Sequence, residues 1–525
     1  MRRTTEPDPA ALWWQGAVFY QVYVRSFADS DGDGVGDLEG IRSRLGYLEL
    51  LGVDALWLTP FFRSPMADHG YDVADPRAVD PLFGDLAAFD RLVADAHAHG
   101  IKVTVDVVPN HSSDQHPWFQ EALAAPPGSR ERARYFFRDG RGPDGAQPPN
   151  NWTSVFGGPA WTRARDGQWY LHLFTPRQPD LNWDNSEVRA DLVGTLRFWL
   201  DRGVDGFRID VAHGMAKPAG LPDMPAYLIG ITGAQAHPAE DPRFDNEDVH
   251  EVHRLIRKVA DEYPGSMAVG EIWVESDERF ARYVRPDELH LGFNFNLVAA
   301  DFDADAVRRA IDHSLTAAGQ SPPTWTLSNH DVSRHVTRYG GGDLGVRRAR
   351  AMALVQLALP GVAYLYNGEE LGLPDVALPD WALQDPLWER SGHTDRGRDG
   401  ARVPLPWEGS EPPFAFTEGD KTWLPMPPEW AGLTVEAQLE DPDSMLSLYR
   451  QALELRKTHA AFSGGELEWY GAPPGCFAFR RKGGGLICAL NTSGAPVPLP
   501  PGEILLSSAP VSDTELPPET SVWLV

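Results

Sequence analysis

The feature that most constrains this chain is a recurring unit in which an amphipathic helix ends at a glycine and a short apolar run follows. The first helical face is formed by Leu38, Ile41, Leu45, Leu48 and Leu51. Gly52 stands where left-handed backbone would end that helix, and residues 53–58 follow as a predicted strand. A chain that repeats this unit is expected to fold as parallel strands covered by helices.

The chain contains enough predicted strands of this kind to form a closed barrel. The predicted strands are residues 18–24, 53–58, 102–108, 206–211, 267–273, 290–295, 324–328 and 362–366. Before the fourth strand, Ser186 is predicted to cap a helix that runs to Arg202. Eight such strands favour the α/β class and a closed (β/α)8 TIM barrel. No G-x-G-x-x-G follows the first strand, which argues against a dinucleotide-binding sheet.

Two stretches interrupt the repeat, and the end of the chain changes character. Residues 112–180 are rich in Pro, Gly, Asn and Trp and predict a loop-rich domain inserted after strand three. A second such insertion covers about 368–435. We therefore predict a barrel of residues 1–111 and 181–460, with 112–180 as the inserted domain. The alternating apolar runs of residues 461–525 predict a C-terminal all-β domain, a β-sandwich.

Composition removes several classes of partner. The formal net charge is −28, which repels phosphate polymers and anionic membranes, so we expect neither nucleic acid nor membrane as a partner. The first residues lack the apolar segment of a secretory signal, which favours a cytoplasmic location. The chain has only two cysteines, Cys476 and Cys488, too few for a disulfide framework or a Cys-rich metal site.

Polar residues follow the ends of the predicted strands in an ordered way. They are Asp106, His111, Arg208, Asp210, His213, Glu271, His330 and Asp331. Because the carboxyl ends of barrel strands meet at one mouth, these side chains are predicted to converge on a single pocket.

Three carboxylates and an arginine in one pocket suit glycoside hydrolysis. A retaining enzyme needs an ionised carboxylate as nucleophile and a protonated carboxyl as acid, about 5–5.5 Å apart. Arg208 precedes Asp210 by two residues on the same strand face, so its charge would keep Asp210 ionised. Negative charge on Asp210 and Asp331 would in turn keep Glu271 protonated. Ion pairs at the barrel rim are the more common explanation for any one of these carboxylates taken alone, but they do not explain the whole ordered set.

These segments resemble a known family. The signatures of the α-amylase superfamily, glycoside hydrolase family 13, are similar to Asp106–His111 (DVVPNH), Gly206–His213 (GFRIDVAH), Gly270–Val274 (GEIWV) and Leu327–Asp331 (LSNHD). Gln178–Asn182 (QPDLN) resembles a fifth signature in the form typical of oligo-1,6-glucosidases and α-glucosidases. The resemblance covers nearly the whole chain, including the insertion and the β-rich end.

The resemblance implies roles for the residues that match. Asp210 would be the nucleophile, Glu271 the acid/base, and Asp331 the third carboxylate, which distorts the sugar through its hydroxyls. Arg208 would lie beneath Asp210, and Asp106 would orient Arg208.

The same resemblance implies a substrate-binding set. His111 and His330 would hold hydroxyls of the reacting glucose, and Asp68 and Tyr71 would close the pocket on its nonreducing end. Arg402 resembles an arginine that pairs with Asp68. Residues similar to those around the pocket and its aglycone side are Phe156, Phe174 and Gln178.

An acidic loop near the start of the chain predicts a divalent cation site. Alternate positions in it are occupied by Asp29, Asp31, Asp33, Val35 and Asp37. This spacing supplies oxygen ligands for Ca2+, although Gly40 replaces the glutamate that would complete an EF-hand loop. The loop resembles the structural Ca2+ site of oligo-1,6-glucosidases. Mg2+ is the alternative ion, and no organic cofactor is expected.

The function predicted from all of this is a retaining exo-acting α-glucosidase that hydrolyses short α-glucosides through a covalent glucosyl-enzyme, with transglucosylation open. A dedicated transglucosylase or a sucrose/maltose isomerase on the same scaffold is the alternative. A non-catalytic scaffold relative is disfavoured because Asp210, Glu271 and Asp331 are all kept. Val211 tends to accompany α-1,6 activity in the family, but other segments look like broader α-glucosidases, so the linkage stays open. The predicted assembly is a monomer or weak homodimer.

Overall fold

A computed structural model describes residues 12–233 and 235–525 of the chain. The N-terminal residues on which the absence of a secretory signal was argued therefore lie mostly outside the described part. The barrel strands are β1 (Val18–Val22), β2 (Ala55–Leu58), β3 (Lys102–Val107), β4 (Gly206–Ile209), β5 (Met267–Glu271), β6 (Leu291–Phe293), β7 (Thr324–Thr326) and β8 (Val362–Tyr366). They form one parallel sheet in the order β6-β5-β4-β3-β2-β1-β8-β7. The predicted (β/α)8 barrel is thereby confirmed.

Side chains complete the barrel where β6 meets β7, the two strands at the ends of that order. Thr324 Oγ1 donates a hydrogen bond to the carbonyl oxygen of Gly292 at 2.7 Å. Asn294 Nδ2 donates to the carbonyl oxygen of Thr324 at 3.2 Å. These bonds satisfy main-chain groups that a strand ladder would otherwise pair, so the barrel is nearly closed.

Helices lie between most of the barrel strands, and further helices occur within the longer connections. The described helices are Leu38–Ser43, Leu45–Leu51, Leu86–Ala98, Pro117–Ala124, Ser186–Leu200, Val249–Ala260, Asp277–Tyr283, Asn296–Ala299, Ala304–Ala318, His335–Arg338, Gly342–Ala358, Pro386–Arg390, Val435–Glu440 and Met445–Thr458. The single helix predicted over residues 38–51 is wrong in one respect, because the backbone leaves helical geometry at Arg44, with φ −107° and ψ 10°. Gly52 ends the second half with φ 94°, as predicted.

The predicted helix cap at Ser186 is also wrong. Asn185 is the cap, since its side-chain oxygen accepts the main-chain N–H of Glu187 at 2.8 Å. Ser186 is the first helical residue. Asn185 has extended backbone, so its side chain can reach the free N–H groups of the first turn. Ser186 already has helical backbone and cannot cap the helix in this way.

Aromatic side chains fill the inside of the barrel below its mouth. Phe19 stacks on Tyr364 with ring centroids 4.7 Å apart, and Trp57 lies 5.3 Å from Phe293. The guanidinium of Arg208 rests above this layer, 5.1 Å from the Trp57 ring. The barrel is therefore a packed core with a polar site on top, as barrel interiors generally are.

The insertion after β3 is mostly loop with one small sheet, whereas the end of the chain is rich in β structure. Between strands β3 and β4, a three-stranded antiparallel sheet is formed by Phe137–Arg138, Trp161–Arg163 and Trp169–Leu171. At the end of the chain, the strands β9 (Leu467–Tyr470), β10 (Cys476–Arg481), β11 (Ile487–Asn491), β12 (Ile504–Ser507) and β13 (Thr520–Leu524) form an antiparallel sheet in the order β9-β10-β11-β13-β12. Shorter pairings join Phe62–Arg63 to Asp75–Val79 and Val497–Pro498 to Glu515–Leu516. Among the described residues, no helix is long and apolar enough to cross a membrane.

Candidate active site

A pocket opens at the carboxyl ends of the barrel strands and contains most of the predicted site. The predicted residues that line this central pocket are Asp68, Tyr71, His111, Phe156, Phe174, Asp210, Glu271 and Asp331. The other predicted residues lie directly behind that lining and contact it, namely Asp106, Gln178, Arg208, His330 and Arg402. The convergence expected from strand order is thus observed.

Arg208 joins three carboxylates at the floor of the central pocket. Its Nη1 lies 2.8 Å from Asp106 Oδ1 and 2.5 Å from Asp210 Oδ1, and its Nη2 lies 2.9 Å from Glu271 Oε2. The arginine side chain is only 2% exposed. The strand position of Arg208 predicted a cation beside Asp210, and in the structure the same cation also contacts Glu271.

The shared cation has consequences for protonation. Burial raises the pKa of Asp210 well above its ordinary value, and repulsion from Glu271 adds to this effect while Arg208 opposes it. Burial likewise raises the pKa of Asp106 to about 6 against the attraction of Arg208. One positive charge cannot neutralise three carboxylates, so the cluster favours keeping one proton among its members. A site with one ionised and one protonated carboxyl is what retention requires.

Asp331 is kept ionised by two guanidinium groups and a neighbouring imidazole. Burial pushes its pKa upward, but His330, Arg398 and Arg402 together hold the pKa of Asp331 below its ordinary range. His330 Nε2 lies 3.2 Å from Asp331 Oδ2 and 2.6 Å from the Tyr71 hydroxyl. Burial lowers the pKa of His330, so the imidazole is neutral and acts as a hydrogen-bonding group.

The ion pair predicted between Asp68 and Arg402 is made by a different arginine. Arg398 Nη2 lies 3.0 Å from Asp68 Oδ1, its Nη1 2.9 Å from Asp331 Oδ1, and its Nε 2.7 Å from Asp385 Oδ2. Arg402 instead donates to the carbonyl oxygen of His330 at 2.7 Å and to Asp331 at 3.0 Å. A 3-10 helical turn, Asp399–Ala401, separates the two arginines and points them at different parts of the pocket.

His111 lines one side of the central pocket, and Gln178 of the inserted segment lies behind it. Gln178 Nε2 donates to Asp68 Oδ2 at 3.1 Å and lies 3.2 Å from His111 Nε2. Phe174 packs 5.0 Å from His111 and 5.5 Å from Phe156, centroid to centroid. The inserted segment thus brings an amide and two aromatic rings close to the carboxylates.

This geometry can be compared with known proteins. A family model described as Alpha amylase, catalytic domain, matches residues 21–465. The chain belongs to the α-amylase family. It is 39% identical over 517 residues to a probable alpha-glucosidase of Rhizobium meliloti (strain 1021). The aligned region covers 94% of this chain and 92% of that protein. An oligo-1,6-glucosidase of Parageobacillus thermoglucosidasius is 36% identical over 485 residues, covering 85% and 84% of the two chains.

A solved structure is similar to this chain over nearly its whole length. The alpha-glucosyl transfer enzyme XgtA is 39% identical, superposes with a TM-score of 0.88, and covers 98% of this chain and 100% of its own. Membership of the α-amylase family with these relatives makes the chain an enzyme of the glycoside hydrolase class, and the predicted family is confirmed.

Sequence reasoning missed part of the pocket wall in this α-amylase-family member. Loop residues 214–242 and their neighbours bring in His237, Phe244 and Trp273, with His237 stacked 3.9 Å from Phe244. His213 packs 5.1 Å from Phe244. Both His213 and Trp273 had a signal, because each lies in a segment that matches a family signature. His237 and Phe244 have no periodicity or motif that would place them there.

The acidic loop of this α-amylase-family chain lies apart from the central pocket. Carboxylate oxygens of Asp29, Asp31 and Asp37 lie within 4.8 Å of one another. Asp33 does not belong to this group of three. Its Oδ1 accepts the main-chain N–H of Val35 at 2.8 Å. Clustered hard oxygen ligands suit a divalent cation, which would also relieve the mutual repulsion of the three aspartates.

Proposed function

We propose that this enzyme is a retaining exo-acting α-glucosidase that releases terminal α-linked glucose from disaccharides and short oligosaccharides. The observation that carries the proposal is the pairing of Asp210 and Glu271 on one buried guanidinium, in a pocket bounded by the Asp68–Arg398 ion pair. The first arrangement supplies a nucleophile and an acid. The second leaves room for a single terminal sugar and none for a polymer passing through.

In the first half of the proposed reaction, Asp210 attacks the anomeric carbon while Glu271 gives its proton to the glycosidic oxygen. The bond between that carbon and oxygen breaks, its electron pair leaves with the aglycone, and a glucosyl ester forms on Asp210. In the second half, Glu271 takes a proton from water, which attacks the same carbon and frees Asp210. Arg208 stabilises whichever carboxylate is charged at each stage.

The remaining polar residues are proposed to hold the glucose. Asp331 and His330 would bind two ring hydroxyls, and the ionised state of Asp331 makes it a strong acceptor. His111 and Gln178 would bind hydroxyls on the opposite side, and the Tyr71 ring would stack on the sugar. Phe156 and Phe174 would contact the aglycone.

Transfer to a sugar acceptor is the second candidate, and one observation favours it. The outer walls of the central pocket are largely aromatic, with Phe156, Phe174, Phe244 and Trp273 around the expected aglycone position. Such a wall retains an acceptor after the first half-reaction and disfavours water. The structural similarity to an alpha-glucosyl transfer enzyme agrees with this alternative.

Several further properties belong to the proposal. We propose that the acidic loop binds Ca2+ through Asp29, Asp31 and Asp37, with Mg2+ as the alternative ion. The free thiols of Cys476 and Cys488 suit a cytoplasmic location. A monomer or weak homodimer is proposed for the assembly, and sedimentation at two concentrations tests it.

Product analysis tests the central proposal. Purified enzyme is incubated separately with maltose, isomaltose, sucrose, trehalose and soluble starch, and the products are separated by chromatography. Glucose from the disaccharides with little from starch is expected, and the ranking gives the linkage. Rearranged disaccharides or longer saccharides would move the enzyme to the transferase class. No turnover of any substrate would contradict both candidates.

A further inference from the structure

Trp273 touches the proposed acid/base from the aglycone side of the pocket. It lies two residues beyond Glu271, and its indole Nε1–H donates a hydrogen bond to Glu271 Oε1 at 2.9 Å. The second carboxyl oxygen, Oε2, accepts the main-chain N–H of Val211 at 2.9 Å and lies 2.9 Å from Arg208 Nη2. The two oxygens of Glu271 therefore have different partners.

This difference decides which oxygen can carry the acid proton. Oε2 faces two donors, one of them cationic, so a proton on Oε2 would point at other N–H groups. Among the residues that the structure describes, the indole is the one donor to Oε1, and Glu271 lines the central pocket. The proton that Glu271 delivers therefore belongs on Oε1, and the indole fixes the rotation of the carboxyl group that presents it.

The indole is itself held in place. Its ring stacks on Phe295 with centroids 3.7 Å apart and planes 7° from parallel. The main-chain carbonyl of Trp273 accepts the N–H of His237 at 3.0 Å. A side chain fixed by stacking and by its backbone can orient a neighbouring group without losing much conformational entropy in each catalytic cycle.

A simpler role also fits the position of Trp273. The ring lines both the central pocket and a separate cavity of about 260 Å3 that includes Phe280 and Asn294. A residue in such a place can act as a partition whose shape alone matters. The two roles differ in whether the N–H group contributes anything, which an experiment can separate.

We propose that Trp273 is a positioning residue for the acid/base, acting through its indole N–H on Glu271 Oε1. The inference rests on the proposed glucosidase function. When Oε1 gives its proton to the glycosidic oxygen, the carboxylate gains negative charge and its hydrogen bond from the indole strengthens. The same bond then holds Oε1 ready to accept a proton from water in the second half-reaction.

Trp273→Phe removes the N–H group and keeps a ring that can stack on Phe295. Without this donor the ionised form of Glu271 is less stable, so the alkaline limb of the kcat/KM profile should move to higher pH by about 1 unit. Turnover of maltose should fall at least about tenfold, because an alcohol leaving group needs the proton. Glucosyl-enzyme formation from 2,4-dinitrophenyl α-glucoside, which needs no proton, should change less than threefold.

Trp13→Phe is the matched control, because the Trp13 indole donates to the carbonyl oxygen of Gly265 at 2.7 Å, just before strand β1 and so at the opposite end of the barrel. It should leave both the pH profile and the leaving-group dependence unchanged. An unshifted alkaline limb in Trp273→Phe, with equal losses on the two substrates, would leave Trp273 as a wall only.

A measurement on the unmutated enzyme keeps the inference testable if Trp273→Phe does not fold. In protein labelled with 5-fluorotryptophan, one 19F resonance should titrate with the midpoint of the alkaline limb, and this titration should disappear in Glu271→Gln. Absence of any such resonance overturns the role of Trp273. If the wild-type enzyme turns over no α-glucoside, the proposed function fails instead, which the substrate panel reveals independently.

Discussion

Arg208 is central to the proposed mechanism. It contacts Asp106, Asp210 and Glu271 at once from a position that is almost completely buried. A guanidinium suits this task because it stays charged and offers donors in several directions, which a lysine ammonium on a flexible stem does not. The arrangement lets negative charge move between Asp210 and Glu271 without leaving the cation.

The role of Asp210 gives the first prediction. Asp210→Asn keeps the size of the side chain but removes the nucleophile, so hydrolysis of 4-nitrophenyl α-glucoside should fall by about 10⁴-fold or more. Circular dichroism should be unchanged. Asp184→Asn, at an exposed carboxylate, is the control and should retain full activity. An active Asp210→Asn enzyme would exclude the proposed mechanism.

Arg398 gives a second prediction at the same scale. Arg398→Met leaves Asp68, Asp331 and Asp385 without their shared partner, so kcat/KM for maltose should fall by about 10²-fold or more. Arg396→Met breaks a surface pair with Asp380 and a hydrogen bond to the carbonyl oxygen of Leu378, neither of which lines the pocket, so kcat/KM should change less than twofold. Equal kinetics in the two variants would show that the Asp68–Arg398 pair does not bind the sugar.

At the scale of elements, the inserted segment is anchored to the loop after β4 by a buried ion pair. Lys217 Nζ lies 2.9 Å from Asp180 Oδ2, and both side chains are fully buried. Lys217 also donates to Asn110 Oδ1 at 3.1 Å and to the carbonyl oxygen of Gly214. The pair thus joins the segment before β4 to the loop that carries part of the pocket wall.

This pair predicts a double-mutant result. Lys217→Met leaves the Asp180 carboxylate buried and unpaired, which should lower the free energy of unfolding by about 3–5 kcal/mol. Adding Asp180→Asn removes the stranded charge and should recover most of the loss. Urea unfolding of the two single variants and the double variant measures this. Additive losses would mean that the two residues act independently.

The loop that follows β8 contains a carboxyl group with unusual titration. Burial raises the pKa of Glu369 from 4.5 to about 8, although the Tyr449 hydroxyl donates to it at 3.0 Å. The unfolded chain releases this proton near pH 4.5 and the folded protein keeps it until about pH 8. Glu369 therefore contributes stability at low pH that is lost as the pH rises through this window.

Glu369→Gln tests that contribution because glutamine does not titrate. The Tm of Glu369→Gln relative to wild type should increase steadily between pH 5 and pH 8, and scanning calorimetry at several pH values measures the difference. A difference that is constant over this range would show that Glu369 does not keep its proton in the folded enzyme.

At the scale of strands, helices and loops, part of the fold and of the site could be predicted from the sequence. The strands and the carboxylates that follow them were predictable, because apolar runs and the parallel arrangement place Asp210, Glu271 and Asp331 at one mouth. The choice between Arg398 and Arg402 was not, since one helical turn decides which of them reaches Asp68. His237 was beyond prediction because the 214–242 loop is positioned by tertiary contacts rather than by any local pattern. Trp273 lies in the matching segment Gly270–Val274, but no local pattern showed that its side chain would face the pocket.

At the scale of the whole molecule, the acidic loop connects the start of the barrel to the insertion after β8. The main-chain N–H of Asp29 donates to the carbonyl oxygen of Phe416 at 2.8 Å, and that of Trp423 donates to the carbonyl oxygen of Gly34 at 2.9 Å. Gly34 has φ 90°, and a Cβ there would lie 2.4 Å from the Lys421 carbonyl oxygen. The close approach requires glycine and makes the loop part of the tertiary structure.

An ion bound in this loop should therefore stabilise the entire fold. Ca2+ at 100 times its Kd should raise the free energy of unfolding by about 2.7 kcal/mol, and chelation with EDTA should remove that gain. Asp31→Ala should abolish the response, whereas Asp33→Ala should largely keep it because Asp33 lies outside the group of three clustered carboxylates. Thermal unfolding with and without Ca2+ measures the effect. A Tm that ignores both Ca2+ and Mg2+ would remove the ion from the proposal.

The ion pair of Asp68 and Arg398 also determines the order in which products can leave the proposed active site. With that end shut, the aglycone and the free glucose must use one exit, and the aglycone stands nearer to it. The leaving alcohol must therefore depart first, and the glucose can leave only after water or an acceptor has entered by the same route. Glucose would then be the last product off the enzyme and would compete directly with incoming substrate, so the enzyme would slow as its own product accumulates.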